Sequence, residues 1–325
     1  MDRLALERRQ VWIYLVAIVG GLWVGTLAPG VGPRFAAWLW PVLAALLYTT
    51  FVQVPLLHVR DAFRDRRFVL AILIGNFVLI PLAVWLALQW LPDDPALRLG
   101  VLLVLLVPCT DWFITFTQLG GGDTARAIAV TPLNLLLQLL LLPVYLCLML
   151  PSGDFSAALK TSEILPAALA LIGLPLVAAA LTERWVEARA ERAVWRDRLG
   201  WWPVPLLGVV VFLIAGAQVG TVLNAGPVLL TVLPVFIGFL FVAALLARGL
   251  TRWLRLPLDA GRTLAFSLGT RNSFVVLPFA LALPVGWETT VVVIVFQSLV
   301  ELFGMVFYLW WLPRHLFKLP LTGPP

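Results

Sequence analysis

The chain has 325 residues, of which 62% are apolar and 12% charged, and a soluble domain of this length could not bury so much apolar surface. The net charge of +6 comes from 21 Arg and 2 Lys gathered between apolar runs, which is the pattern of topogenic charge and excludes a nucleic-acid stripe. Two cysteines, Cys109 and Cys147, both in apolar runs where buried thiols are expected, are too few for a disulfide framework.

A helix needs roughly 20 apolar residues to cross a ~30 Å hydrocarbon core. The runs here are continuous and Leu/Val-rich without dyad alternation, so helices are expected and a barrel is not. In chain order the expected spans are 11–28, 35–57, 68–91, 98–119, 126–150, 164–182, 201–222, 227–250, 260–284 and 288–312. The first follows Arg3, Arg8 and Arg9 but is long for a signal peptide and has no small-residue cleavage site. Between the sixth and seventh lies the one sizeable loop, Thr182 to Gly200, expected as a charged surface helix.

Lys and Arg fall 19 to 3 on alternate sides, the minority being Arg34, Arg98 and Lys160, with Arg271 inside a span. The excess places both termini in the cytoplasm and requires an even number of helices. Five plus five helices in opposite orientation then suggest a duplicated unit, 1–155 and 156–325. An offset of 163 residues pairs Tyr145 with Tyr308, Cys109 with Asn272, Asn134 with Gln297 and Gln138 with Glu301.

Three ionisable residues lie within spans: Asp111, Arg271 and Glu301. Burying such a charge costs roughly 2.5 to 3.5 kcal/mol on insertion scales, so each is expected to be functional, with Arg271 ion-paired to Asp111 or Glu301. Asp111 follows Pro108-Cys109-Thr110, and Arg271 lies in Gly269-Thr270-Arg271-Asn272-Ser273. Each segment combines a helix breaker with small polar residues, and two interrupted spans at corresponding places point to a transporter site. Thr131, Asn134 and Gln138 share one helical face, as do Gln297, Glu301 and Gly304. Gly120-Gly121-Gly122-Asp123 lacks the phosphate-loop pattern and reads as a turn. His58 and His315 are distant in sequence, so no metal site is expected, and neither a catalytic nucleophile–base pair nor a cofactor motif is present.

The stretch Val107–Gln138, with its Pro-Cys-Thr core, Gly-Gly-Asp turn and Asn-x-x-x-Gln helix, resembles the arsenite efflux permeases of the arsenical-resistance-3 type. These belong to the bile acid:sodium symporter superfamily. Phe296-Gln297-Ser298-Leu299-Val300-Glu301 resembles that family's acidic tenth helix. The resemblance implies an all-α fold of ten transmembrane helices in two inverted repeats. A panel of spans 1, 2, 6 and 7 would face a core of spans 3–5 and 8–10, in which the broken fourth and ninth spans cross. It implies export of trivalent metalloid by proton antiport across a bacterial inner membrane, with the lipid bilayer and a small-molecule or metalloid substrate as partners. Sodium-coupled symport of an organic anion is the alternative.

By that resemblance Cys109, with Thr110, Asn272 and Ser273, would hold the substrate. The resemblance itself maps onto Cys109 and Glu301; from the polar residues around the two breaks, Asp111, Arg271, Gln297, Asn134 and Gln138 are expected to serve the coupling ion, H⁺ or Na⁺, together with Glu301. The chemistry of Cys109 agrees, because trivalent arsenic is thiophilic and a single thiol can both bind and release it. Arg271 departs from a neutral ninth-span break, and a free positive charge there would suit an anion such as arsenate.

Overall fold

The computed structural model describes residues 3–150 and 164–318. Among these the chain is helical, without strands apart from an isolated antiparallel bridge between Pro108 and Arg271. Seven segments are long and apolar enough to cross a membrane: Arg9–Leu27, Gly32–Phe51, Arg66–Leu88, Thr124–Met149, Ala190–Ala217, Gly226–Trp253 and Glu288–Leu316. The chain is therefore an all-α, multi-pass membrane protein. Two of the other expected spans, the fourth and ninth, are interrupted helices, and the remaining one begins at the edge of the described residues. The expected boundary between residues 155 and 156, and Lys160, lie outside the described residues.

The helices are α1 (Arg3–Leu27), α2 (Gly32–Phe51), α3 (Arg66–Leu88), α4 (Pro95–Leu105), α5 (Trp112–Leu119), α6 (Thr124–Met149) and α7 (Ile164–Glu187). They continue as α8 (Ala193–Leu199), α9 (Pro203–Ala217), α10 (Val219–Asn224), α11 (Gly226–Trp253), α12 (Leu258–Gly269), α13 (Ser273–Leu281) and α14 (Glu288–Trp311). Large apolar side chains such as Leu140, Leu148, Leu230 and Leu245 point outward, as a lipid solvent demands.

Two neighbourhoods of packing stand out. α1 packs on α9, α9 on α2 and α2 on α7, whereas α11 packs on α12 and α14, and α14 on α4 and α13. With lipid as solvent, close approach of helix backbones replaces the hydrophobic effect as the force between helices. Gly21 and Gly25, one turn apart on α1, allow that approach: a Cβ at Gly25 would sit 2.5 Å from Gly216 O of α9.

Several expectations need correction. The Arg-rich N-terminal stretch is helical from Arg3, so α1 begins well before residue 11. The charged loop after residue 182 is not one surface helix. α7 runs on to Glu187, and a short turn at Ala190–Arg192 separates it from α8. Arg192 stacks over Trp185 at 4.3 Å, fastening that turn. His58 is not isolated either, because the fold brings its Nδ1 within 3.5 Å of both Glu183 and Glu187 on one face of α7. Burial pushes the Glu183 carboxyl above its usual range, reinforced by the neighbouring Glu187 and opposed by the Leu57 N–H and His58. Cys147 is exposed rather than buried, because it falls on the outward face of α6.

The glycine-rich segment is a turn, as expected. Gly121 takes a φ of 68°, a left-handed conformation that costs glycine little. Asp123 caps α6 through the Arg126 N–H, and the turn is tied to α12 by a 2.7 Å hydrogen bond from Asp123 N–H to Thr263 Oγ1.

Candidate functional site

Pro108 cannot donate a backbone hydrogen bond, so the helix containing it must stop or find another partner. α4 ends at Leu105, and α5 starts at Trp112 with Asp111 as N-cap, its Oδ1 accepting the Trp112 N–H at 2.8 Å. In the ninth span α12 ends at Gly269, and Asn272 caps α13 through the Val275 N–H. The two breaks meet. Cys109 N–H donates to Thr270 O at 3.2 Å, and Asn272 N–H to Val107 O at 2.8 Å, on either side of the Pro108–Arg271 bridge. Each interruption thus satisfies backbone groups that the other leaves orphaned, which a dry site requires.

These contacts follow the 163-residue offset. Pro108 pairs with Arg271, Val107 with Thr270, and Cys109 with Asn272. A second contact repeats in the same way: Tyr145 OH donates to Phe77 O, and Tyr308 OH donates to Leu240 O. Phe77 lies four residues before Pro81, which has no N–H to offer it, so the tyrosine hydroxyl takes that place.

The side chains named from the sequence gather around this crossing. Cys109, Thr110, Asn272 and Ser273 are all buried. Cys109 Sγ donates to Asp111 Oδ1 at 3.1 Å, and Asn272 Nδ2 donates to Thr110 Oγ1 at 3.0 Å. From α14, Gln297 Oε1 accepts the Ser273 hydroxyl at 2.9 Å, while its Nε2 donates to Glu301 Oε2 at 2.8 Å. That same carboxylate oxygen accepts the Arg271 backbone N–H at 2.8 Å, and Glu301 Oε1 has no hydrogen-bond partner among the described residues. A narrow cleft of about 30 Å³, about the space of one water, reaches Asp111 and Trp112 from between Gln10, Gln53 and Gly200.

α6 differs from α14. Asn134 and Gln138 are as buried as their offset partners Gln297 and Glu301, yet neither end of either amide has a hydrogen-bond partner among the described residues. Each unsatisfied buried polar group costs about 1–3 kcal/mol, which sets the two amides of α6 apart from the paired Gln297 of α14.

Arg271 corrects the expected ion pair. Its guanidinium donates to Leu105 O at 3.3 Å, Asn76 Oδ1 at 2.9 Å, Ser267 O at 3.1 Å and Leu268 O at 2.6 Å. Glu301 receives the residue's backbone N–H instead. The side chain is directed to the carbonyl ends of α4 and α12, where helix dipoles favour positive charge. Its Nη1 and Nη2 are thus engaged by neutral oxygens, while Nε has no partner among the described residues.

The sequence reading missed Asn76 and Ser267. Asn76 lies in a π-turn, Gly75–Leu79, where Ile80 N–H reaches back to Gly75 O, and its Nδ2 donates to Ser267 Oγ at 3.1 Å. Such turns inside α-helices recur at functional sites. The available signal was a lone amide inside an otherwise apolar run.

Residues 40–225 match the family model described as Sodium Bile acid symporter family, more than half of the chain. The chain belongs to that family. Membership makes it a transporter rather than an enzyme, and the crossing is where this symporter-family chain concentrates its buried polar groups. A curated relative, the Arsenical-resistance protein Acr3 of Corynebacterium glutamicum, is 26% identical over 177 residues. The match covers 50% of this chain and 44% of the relative, so the chain aligns with less than half of that protein's length.

Proposed function

We propose that this symporter-family chain exports trivalent metalloid, arsenite and antimonite, by exchange for protons. The observation that carries the reading is the place of Cys109: the only buried thiol among the described residues stands in the crossing of two broken helices, one residue from the break at Pro108. A lone thiol is a soft ligand that can capture As(III) or Sb(III) and let it go, whereas three would trap it. The printed name of the Corynebacterium glutamicum relative agrees with this substrate class.

Thr110, Asn272 and Ser273 complete the substrate side. Glu301 is the proton carrier, because its Oε2 is held by the ninth-span break and Gln297 while its Oε1 has no partner among the described residues and can take the proton without breaking either contact. Asp111 is the alternative carrier, and Asn134 and Gln138 line the path of the ion or its water. Two inverted repeats, 1–155 and 156–325, supply ten crossings, supported by the offset-related contacts at the bridge and at Tyr145 and Tyr308. α1, α2, α7 and α9 form the panel, and the remaining crossings form the core that moves against it. The charge bias orients both termini to the cytoplasm of a bacterial plasma membrane.

The family match favours a second reading, sodium-coupled uptake of an organic anion. One experiment separates the two. Arsenite, antimonite and arsenate accumulation is measured in a metalloid-sensitive bacterial strain with and without the gene. In everted vesicles, uptake is then driven by a proton or a sodium gradient. Lower arsenite and antimonite accumulation with proton-driven uptake supports export. Unchanged accumulation of all three, with sodium-driven movement of a carboxylate such as taurocholate, replaces it.

A further inference from the structure

The four oxygens around the Arg271 guanidinium form an unusual set. Ser267 O and Leu268 O belong to the last turn of α12, Leu105 O ends α4, and Asn76 Oδ1 comes from the π-turn of α3. All four are neutral carbonyl-type oxygens, three converge on the single Nη2 atom, and the lining is buried. Unwound carbonyls and half-helix C-terminal ends are the ligands with which interrupted membrane helices hold alkali cations, and neutral oxygen is the donor that hard cations prefer. Nothing in the set requires a planar fork. The carbonyls of two helix ends require a positive charge.

We infer that this is a monovalent-cation cage permanently occupied by the chain's own cation, so that Arg271 acts as a tethered substitute for a bound sodium ion. Through Nη2 the guanidinium joins α3 and α12 at the place a sodium ion would take, and through Nη1 it reaches α4 as well. It cannot leave, so the site cannot couple transport to a sodium gradient. The carboxylates at the crossing, Glu301 and Asp111, are left to exchange the coupling ion. The inference rests on the transport reading only for its place in the cycle and stands whatever substrate is exported. It predicts that removing the side chain opens a site of defined chemistry, one that takes Na⁺ or the free guanidinium ion.

The test is thermal unfolding of the purified full-length protein in detergent, in choline chloride, NaCl or millimolar guanidinium chloride at equal ionic strength. The wild type should have the same midpoint in all three. Arg271→Ala should have a lower midpoint in choline, and Na⁺ or guanidinium should saturably restore at least half of the loss. An Arg271→Ala midpoint indifferent to both cations, or a wild type that Na⁺ stabilises as much as the variant, overturns the inference. Should Arg271→Ala not fold, Arg271→Lys and Arg271→Met decide it. A cation cage accepts the Lys ammonium, so Arg271→Lys stays close to the wild-type midpoint while Arg271→Met drops. Equal losses in both would instead mean that the planar guanidinium itself is needed and would reject the cage. None of these readouts depends on metalloid export, so failure here leaves the proposed function to be judged on its own assay.

Discussion

Glu301 on α14 and Gln138 on α6 occupy places related by the same 163-residue offset that pairs Arg271 with Pro108. Glu301 accepts the Arg271 backbone N–H, whereas Gln138 stands unpartnered among the described residues, and Pro108 has no N–H to give. The same contrast holds one turn away: Gln297 grips the Ser273 hydroxyl, but the side-chain amide of Asn134 has no hydrogen-bond partner among the described residues. One break is closed by a network of Arg271, Ser273, Gln297 and Glu301, in which Glu301 Oε1 and Arg271 Nε lack partners among the described residues. The other is left chemically open beside Cys109. The difference in backbone chemistry, proline opposite arginine, runs parallel to this: Arg271 has an N–H for Glu301, and Pro108 has none for Gln138.

The sharpest test of this contrast is the thiol of the open break. Cys109→Ser should abolish arsenite and antimonite export in the sensitive-strain assay, returning accumulation to that of cells without the gene. The outward-facing Cys147→Ser should be silent. Full resistance in Cys109→Ser would falsify the thiol role.

Next in size is the closed break. Glu301→Gln keeps the shape but removes the ionisable group, and proton-driven exchange in vesicles should be lost while the protein still reaches the membrane. If exchange still follows the pH gradient in this variant, Asp111 becomes the carrier.

The two amide sites then separate stability from transport. Gln297→Leu leaves the Ser273 hydroxyl without a partner and Glu301 with the Arg271 N–H alone, which should cost about 1–3 kcal/mol for the buried group left unsatisfied, read as a lower unfolding midpoint. Gln138→Leu removes atoms that already lack partners, so it should leave the midpoint unchanged or raise it while transport falls. Equal destabilisation by both would erase the distinction between an open and a closed half.

The smallest effect lies outside the crossing. Asp65 caps α3 by accepting the Phe68 N–H at 3.1 Å and pairs with Arg126 at 2.9 Å. Burial pushes its carboxyl up, but the Phe68 N–H and Arg126 outweigh burial, and the net shift is below the usual 3.8. A lowered folded value means the stabilisation is complete above the unfolded value and disappears as pH falls through the folded one. Asp65→Ala should cost about 1 kcal/mol near neutrality, as for a lost cap, and that difference should shrink below the unfolded value and vanish only in acid below the folded one. A difference that persists there would assign the effect to packing.

Much of this was legible without a structure. The apolar runs forced a helical membrane protein, because lipid leaves no other way to satisfy a spanning backbone of this pattern. Pro108 and Gly269 marked the breaks because their effects on a helix are local, and the 163-residue offset that pairs Cys109 with Asn272 was visible as a count along the chain. Contacts set by three-dimensional packing could not be read in that way. The partner of Arg271 was expected to be a carboxylate, since charge is what a sequence displays. The structure instead gives it backbone carbonyls, which every residue carries and no sequence distinguishes. Asn76 went unnoticed because a π-turn, not a helical period, aims it at α12. His58 met Glu183 and Glu187 only through the return of α7 past the segment before α3. The sequence by itself determined the solvent, the helices and where two of them break. Tertiary structure decided which buried groups are satisfied, because that depends on which chain segments cross and on whether the facing backbone has a proton to donate.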